Sequence, residues 1–132
     1  MWVGEAGAAT RLKVVVNSWI VTVVEGGAET IALAEGMGVD PALMFDALEG
    51  GALDLPYLRM KGEAIAKREF DPSFSLRLAA KDAGLVAEAA GRRDLDLPAL
   101  DAIRRRLDEG VPEHGDEDMS ATFLTSAPRA VR

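Results

Sequence analysis

Residues 4–36 read GEAGAATRLKVVVNSWIVTVVEGGAETIALAEG, and the folding of this stretch decides the fold of the chain. Its middle sends two signals. Val14 to Val16 and Trp19 to Val24 are rich in β-branched and aromatic residues, which suit strands. Yet no proline or Asn-Gly turn interrupts the run, and the AETIALAEG that follows Gly26-Gly27 is helical in composition. Apolar side chains also occur on nearly every side of residues 12–24, the pattern of a helix buried all round. The stretch is therefore read as one helix from Ala8 to Glu35, about 40 Å long, ending at Gly36 and Gly38. A helix of that length in a chain of 132 residues makes the remaining helices its packing partners.

Two polar side chains interrupt the apolar part, Lys13 and Asn17. Four residues apart, they share one helix face. The lysine stem can cover apolar surface while its ammonium reaches water, and Asn17 can satisfy a nearby carbonyl. The alternative is an ammonium and a carboxamide held together at the wall of a cleft, where desolvation favours proton exchange by the lysine.

Composition narrows the function classes. At 132 residues the chain is one domain with room for a core. Aromatics make up only 5% and alanine, leucine, glutamate and arginine dominate, which favours an all-α fold. Fifteen Lys and Arg stand against 22 Asp and Glu, a net charge of −7, which argues against nucleic-acid binding. Arg104 to Arg106 read as a solvated helix face. There is no cysteine, so thiolate chemistry and disulfides are excluded and a reducing cytoplasm is the expected location. The single histidine, His114, cannot build a multi-histidine metal site, and no metal is expected. No signal peptide is recognised. Lys13, Asn17 and Glu25 leave the first helix too polar, on this reading, to span a membrane.

The rest of the chain reads as a series of helices. Val39-Asp40-Pro41 caps a short one, ALMFDALE, with Leu43, Met44, Phe45 and Leu48 on its apolar side. Tyr57 to Lys67 form another, with Tyr57 either a rim residue satisfied by water or a substrate contact. Asp71 or Ser75 caps LRLAAKDAGLVAEAAGRR, in which Lys81 shares a stripe with Phe74, Leu78 and Leu85. Asp96 is the expected cap of PALDAIRRRLDEG, with Leu97, Leu100, Ile103 and Leu107 facing inward. Val111-Pro112 is expected to break that helix, and a last short helix begins within residues 115–121. The tail from Ser126 is expected to fray. GEAGAA is the nearest approach to a Gly-x-Gly-x-x-Gly dinucleotide turn, but no acidic residue follows at the ribose distance, and the match is rejected.

Three segments carry a resemblance. Gly7, Lys13 and Asn17 resemble the Gly-x-Gly-x-x-x-Lys-x-x-x-Asn helix that opens the C-terminal domain of the 3-hydroxyisobutyrate dehydrogenase (β-hydroxyacid dehydrogenase) family, with Ala9 standing where the family has its second glycine. Phe74, Lys81, Asp82 and Leu85 resemble the family's second motif, and the segment from Gly115 to Ala121 its closing Gly-x-x-Asp-x-Ser-Ala. The resemblance, which spans residues 4 to about 124, implies an all-α bundle of about six helices around the long first one, like the C-terminal domain of 6-phosphogluconate dehydrogenase; the domain is expected over residues 1–125, with a flexible tail at 126–132. It implies an upstream Rossmann domain, an NAD or NADP cofactor held mainly there, and hydride transfer to or from a small 3-hydroxy acid. By the same resemblance Lys13 is the catalytic acid/base, Asn17 contacts substrate, Lys81 reaches the cofactor near the nicotinamide, and Asp82 supports helix packing. A homo-oligomer is expected, with no nucleic-acid or membrane partner. Two other readings stand beside it: a helical dimerisation module in which Lys13 is incidental, and an imine reductase-type domain, whose catalytic lysine position is often replaced.

Overall fold

The structure, a computed structural model, describes residues 4–127. Its first element, α1 (Ala8–Gly36), is one unbroken helix of 29 residues, so the β-branched run did not become a strand. A helix tolerates such residues at a cost of tenths of a kcal/mol each, and tertiary contacts along α1 outweigh that. Gly38 supplies the left-handed stop, at φ 73°, and Val39 N–H reaches back to Ala34 O at 2.9 Å, which satisfies a terminal carbonyl.

Five further helices surround α1: α2 (Pro41–Leu48), α3 (Pro56–Lys67), α4 (Leu76–Gly91), α5 (Pro98–His114) and α6 (Phe123–Ser126), with a 3₁₀ turn at Met119–Thr122 before the last. No strand occurs among the described residues; Ser75 and Asp118 form one isolated antiparallel bridge. The architecture is an all-α bundle.

Helix α1 serves two packing groups in succession. Val21 and Val24 pack with Leu76, Ala79, Ala83 and Leu107, which ties it to α4 and α5. Further along, Ala28 and Ile31 pack with Ile65, Phe123 and Leu124, which ties it to α3 and α6. Gly27 permits the α3 contact, since a Cβ there would stand 2.1 Å from Leu58 Cδ1.

Several expectations change. Residues 12–24 are not buried all round: Val15, Val16 and Trp19 are 63%, 47% and 62% exposed, because α4 covers only one side of this half of α1. By length and composition α1 is apolar enough to cross a membrane, contrary to the sequence reading, although Val21, Val24, Glu25 and Ala28 are buried inside the bundle. Leu43 of α2 is exposed, while Met44 and Phe45 pack. Ser75, not Asp71, caps α4, accepting from Leu78 N–H. Leu97, not Asp96, occupies the cap of α5 and makes no side-chain bond; Pro98 at the first position has no N–H to satisfy. Pro112 does not end α5, which continues to His114. Asp108, whose carbonyl loses its partner, is exposed and water can replace the missing donor. Ala127 is buried against Phe123 and Leu124 rather than frayed; residues 128–132 lie outside the described part.

Candidate functional site

The two motif-bearing helices pack side by side. Thr10, Arg11 and Val14 share a groove with Ala89, Arg92 and Arg93, while Ile20 and Val21 meet Phe74, so α1 and α4 run antiparallel. That direction puts Asn17 level with Asp82, and Asn17 Nδ2 donates to Asp82 Oδ2 at 3.1 Å. The bond fixes which way the carboxamide points and leaves its Oδ1 as an acceptor. Asp82 therefore does more than pack: its carboxylate orients Asn17.

Asn17 and Asp82 form the polar rim of a cavity of about 100 Å³, whose apolar walls are Ile20, Val21, Tyr57 and Phe74. Such a space admits a few heavy atoms, not a dinucleotide. Tyr57 is thus part of the wall, and its hydroxyl lies 3.7 Å from Met119 Sδ. A larger groove of about 530 Å³ lies towards the start of α1, lined by aliphatic residues such as Val14, Val15, Leu85, Val86 and Leu95. Of the motif residues it holds only Leu85, and none of Lys13, Asn17, Lys81 or Asp82.

Lys13 and Lys81 do not line the small cavity. Lys13 stands one turn from Asn17 on the same helix face, and Lys81 directly precedes Asp82. Both are exposed, and neither has a hydrogen bond or ion pair among the described residues. Helix α1 and its neighbours do not desolvate Lys13; any cover for it comes from outside the described residues. The surroundings are apolar: Leu12, Val15 and Val16 flank Lys13, and Leu78 and Leu85 flank Lys81, all more than a third exposed.

Sequence reasoning missed two buried charged features, the Lys61–Asp118 pair and Glu25. Lys61 and Asp118 form a buried ion pair at 3.0 Å, with each side chain 4% exposed. Burial raises the Asp118 carboxyl, but the hydrogen bonds from Ser120 and Lys61 outweigh it and hold the group down at about 2. Asp118 was visible as the acid of the closing motif; nothing in the pattern of α3 marks Lys61 apart from the exposed Lys67. Glu25 is the other. It is 2% exposed, and its Oε2 accepts from Thr122 Oγ1 at 2.6 Å while Oε1 has no partner. Burial pushes its carboxyl up to about 7, against the lowering effect of Thr122 and with a further push from Glu29.

A long apolar helix carrying lysine and asparagine one turn apart, closed against a second motif helix in an all-α bundle, defines the helical domain of a hydroxyacid-dehydrogenase-like protein. The family described as NAD-binding of NADP-dependent 3-hydroxyisobutyrate dehydrogenase matches residues 7–124, and the chain belongs to it. It is similar to glyoxylate/succinic semialdehyde reductase 2, chloroplastic, of Arabidopsis thaliana, at 29% identity over 92% of this chain and 34% of that protein. It is similar to 2-hydroxy-3-oxopropionate reductase of Escherichia coli (strain K12), at 32% identity over 73% of this chain and 33% of that protein. Among solved structures, the Mycobacterium tuberculosis 3-hydroxyisobutyrate dehydrogenase with L-serine superposes with a TM-score of 0.83 at 26% identity, covering 95% of this chain and 45% of that one. The chain thus spans about a third of the length of these curated relatives.

Proposed function

We propose that this chain is the substrate and proton-transfer domain of an NAD(P)-dependent oxidoreductase acting on a small 3-hydroxy acid. The observation that carries the reading is the Asn17–Asp82 bond at 3.1 Å, because it joins the two motifs, 65 residues apart, at one cavity. The names of the relatives support the substrate class, since each describes a small hydroxy or oxo acid.

In this reading Lys13 takes the hydroxyl proton as the alcohol is oxidised and returns it on reduction. Asn17, held by Asp82, presents a fixed carboxamide to the hydroxyl or carbonyl oxygen, and the Phe74 and Tyr57 walls admit only a short carbon chain. At the carbon bearing that oxygen, hydride would be supplied or accepted by a nicotinamide cofactor when one is bound. Of this chain's residues, the exposed Lys81 beside Asp82 is the group that fits one end of that cofactor, and a Rossmann domain upstream holds the rest. Closure of that domain over Leu12, Val15, Leu78 and Leu85 would bury both lysines and lower the water content around Lys13, which strengthens its electrostatic action. Lys13 also favours alcohol over imine chemistry. The remaining exposed apolar face of α1 fits a homo-oligomer. The reading places the protein in the cytoplasm, without nucleic-acid or membrane partners; cell fractionation tests the location.

The test is kinetic. In the protein joined to its dinucleotide domain, Lys13→Ala lowers kcat by about 10²-fold or more, as loss of a positioned acid/base does, while NAD(P)H titration gives a nearly unchanged Kd. Near wild-type turnover in that variant would defeat the assignment and leave the dimerisation module as the better reading.

A further inference from the structure

Below the cavity lies a dense polar cluster that the proposed chemistry does not use. Asp118 Oδ1 accepts from Lys61 Nζ at 3.0 Å, Ser73 N–H at 3.2 Å and Phe74 N–H at 3.3 Å. Its Oδ2 accepts from Lys61 Nζ at 3.0 Å, Ser120 N–H at 3.0 Å and Ser120 Oγ at 2.6 Å. Ser73 Oγ bridges the pair, accepting from Lys61 Nζ and donating to Asp118 Oδ1, both at 3.2 Å. Two main-chain bonds close the arrangement, Asp118 N–H to Phe70 O and Met119 N–H to Phe74 O, each 2.8 Å. The Lys61 ammonium also sits 5.3 Å from the centre of the Tyr57 ring.

Net stability does not account for such a cluster. Taking two charges out of water costs several kcal/mol per ion, and a well-packed apolar pair is often as stable or more so. What a fully bonded buried carboxylate does supply is one fixed geometry for every donor around it. The donors here include the backbone of Ser73 and Phe74, and the residue next to Asp118 is Met119, which meets the Tyr57 hydroxyl at 3.7 Å. Phe74 and Tyr57 are the two aromatic walls of the cavity that Asn17 and Asp82 rim.

We propose that Lys61 and Asp118 are positioning residues: their buried pair sets the Phe74 and Tyr57 walls and thereby the size of the cavity beside Asn17 and Asp82. Its catalytic consequence rests on the function proposed above; its structural content does not. Neither residue touches the cavity, so both act through others.

The chain carries its own reporters. Asn17 is the only side-chain carboxamide and Tyr57 the only tyrosine in the sequence, so each gives an unambiguous NMR signal. In the 132-residue chain, Lys61→Met combined with Asp118→Leu removes both charges and both carboxylate acceptors while keeping apolar bulk. The expected result is a folded helical protein in which the Asn17 carboxamide and Tyr57 ring signals are displaced or broadened. Removing the exposed pair Arg77–Asp116 (3.3 Å) by Arg77→Met with Asp116→Leu leaves both signals in place. A folded double variant with both reporters at wild-type positions overturns the proposal. If that variant does not fold, Ser73→Ala, which deletes only the bridging hydroxyl, must move the same two signals to a smaller extent; unmoved signals there overturn it equally. Joined to the dinucleotide domain, the double variant should raise KM for the hydroxy acid about 10- to 100-fold, the scale of a sub-ångström to ångström misplacement, at unchanged NAD(P)H affinity. A wild-type protein without turnover would sink the proposed function, while the two NMR signals would still decide whether the buried pair sets the walls.

Discussion

Glu25 lies one helical turn past Val21 on the inner side of α1, and its carboxyl has one hydrogen bond where an ionised group wants several. Its proton affinity follows from that: burial raises it from the ordinary 4.5 to about 7. Because the folded chain holds this proton more tightly than the unfolded one, the linkage has a definite sign. Glu25 carries no penalty below pH 4.5, and stability falls as pH rises from there through about 7. The full penalty is on the order of 3 kcal/mol, at about 1.4 kcal/mol per tenfold change in proton affinity. Asp118 acts in the opposite sense and in a lower window. Held at about 2 rather than 3.8, it stabilises above pH 3.8 and loses that contribution as pH falls through 2. Chemical denaturation across pH 4 to 8 should therefore show declining stability for the wild type, and a much flatter line for Glu25→Gln. A variant with the same slope as the wild type would mean that Glu25 is not the responsible group.

At the scale of elements, α1 shows what sequence could and could not tell. Its length was legible because no proline stands between Ala8 and Gly36 and because Gly36 and Gly38 supply a stop at its C-terminal end. The facing of its first half was not legible: Val15, Val16 and Trp19 are as apolar as Val21 and Val24, yet only the latter two meet α4 and α5. Hydrophobicity alone cannot say whether a partner face is present in the same chain. The Lys13–Asn17 spacing was readable as one helix face, whereas the Asn17–Asp82 bond needed the antiparallel packing of α1 and α4. The Lys61–Asp118 pair spans 57 residues and has no local signal. Nor could Pro112 be judged without knowing that the carbonyl it deprives, at Asp108, is exposed. The uncovered face of α1 makes its own prediction. Monomeric proteins rarely leave apolar patches of this kind uncovered, so the 132-residue chain should sediment as a dimer or larger at high micromolar concentration. Trp19→Lys should shift it towards monomer with helical content retained. A wild type that is purely monomeric at that concentration would contradict the role assigned to this face.

The whole molecule is a bundle organised by one helix, with a small cavity on one side and exposed lysines beside it, and that architecture limits what it can bind by itself. A dinucleotide is gripped chiefly through its pyrophosphate and ribose, by a strand, a glycine turn and a helix N-terminus aimed at the phosphates. Among the described residues there is no strand, and the cavity at Asn17 and Asp82, about 100 Å³, is far below the few hundred Å³ that a cofactor-sized ligand fills. Lys81 offers one solvent-screened cation, and an exposed ion pair contributes about 1 kcal/mol or less. Association costs an estimated 4 kcal/mol or more in lost motional freedom, so one such contact leaves no net affinity. The chain alone should accordingly show no saturable quenching or transfer of NADH or NADPH fluorescence up to millimolar cofactor, and no oxidation of 3-hydroxy acids. Joined to the dinucleotide domain proposed above, the same residues should show both, with Lys81→Ala weakening the cofactor several-fold and Lys13→Ala leaving it nearly unchanged. Micromolar binding of either nucleotide by the isolated chain would mean that the bundle holds a cofactor site of its own and that the division of labour between two domains is wrong.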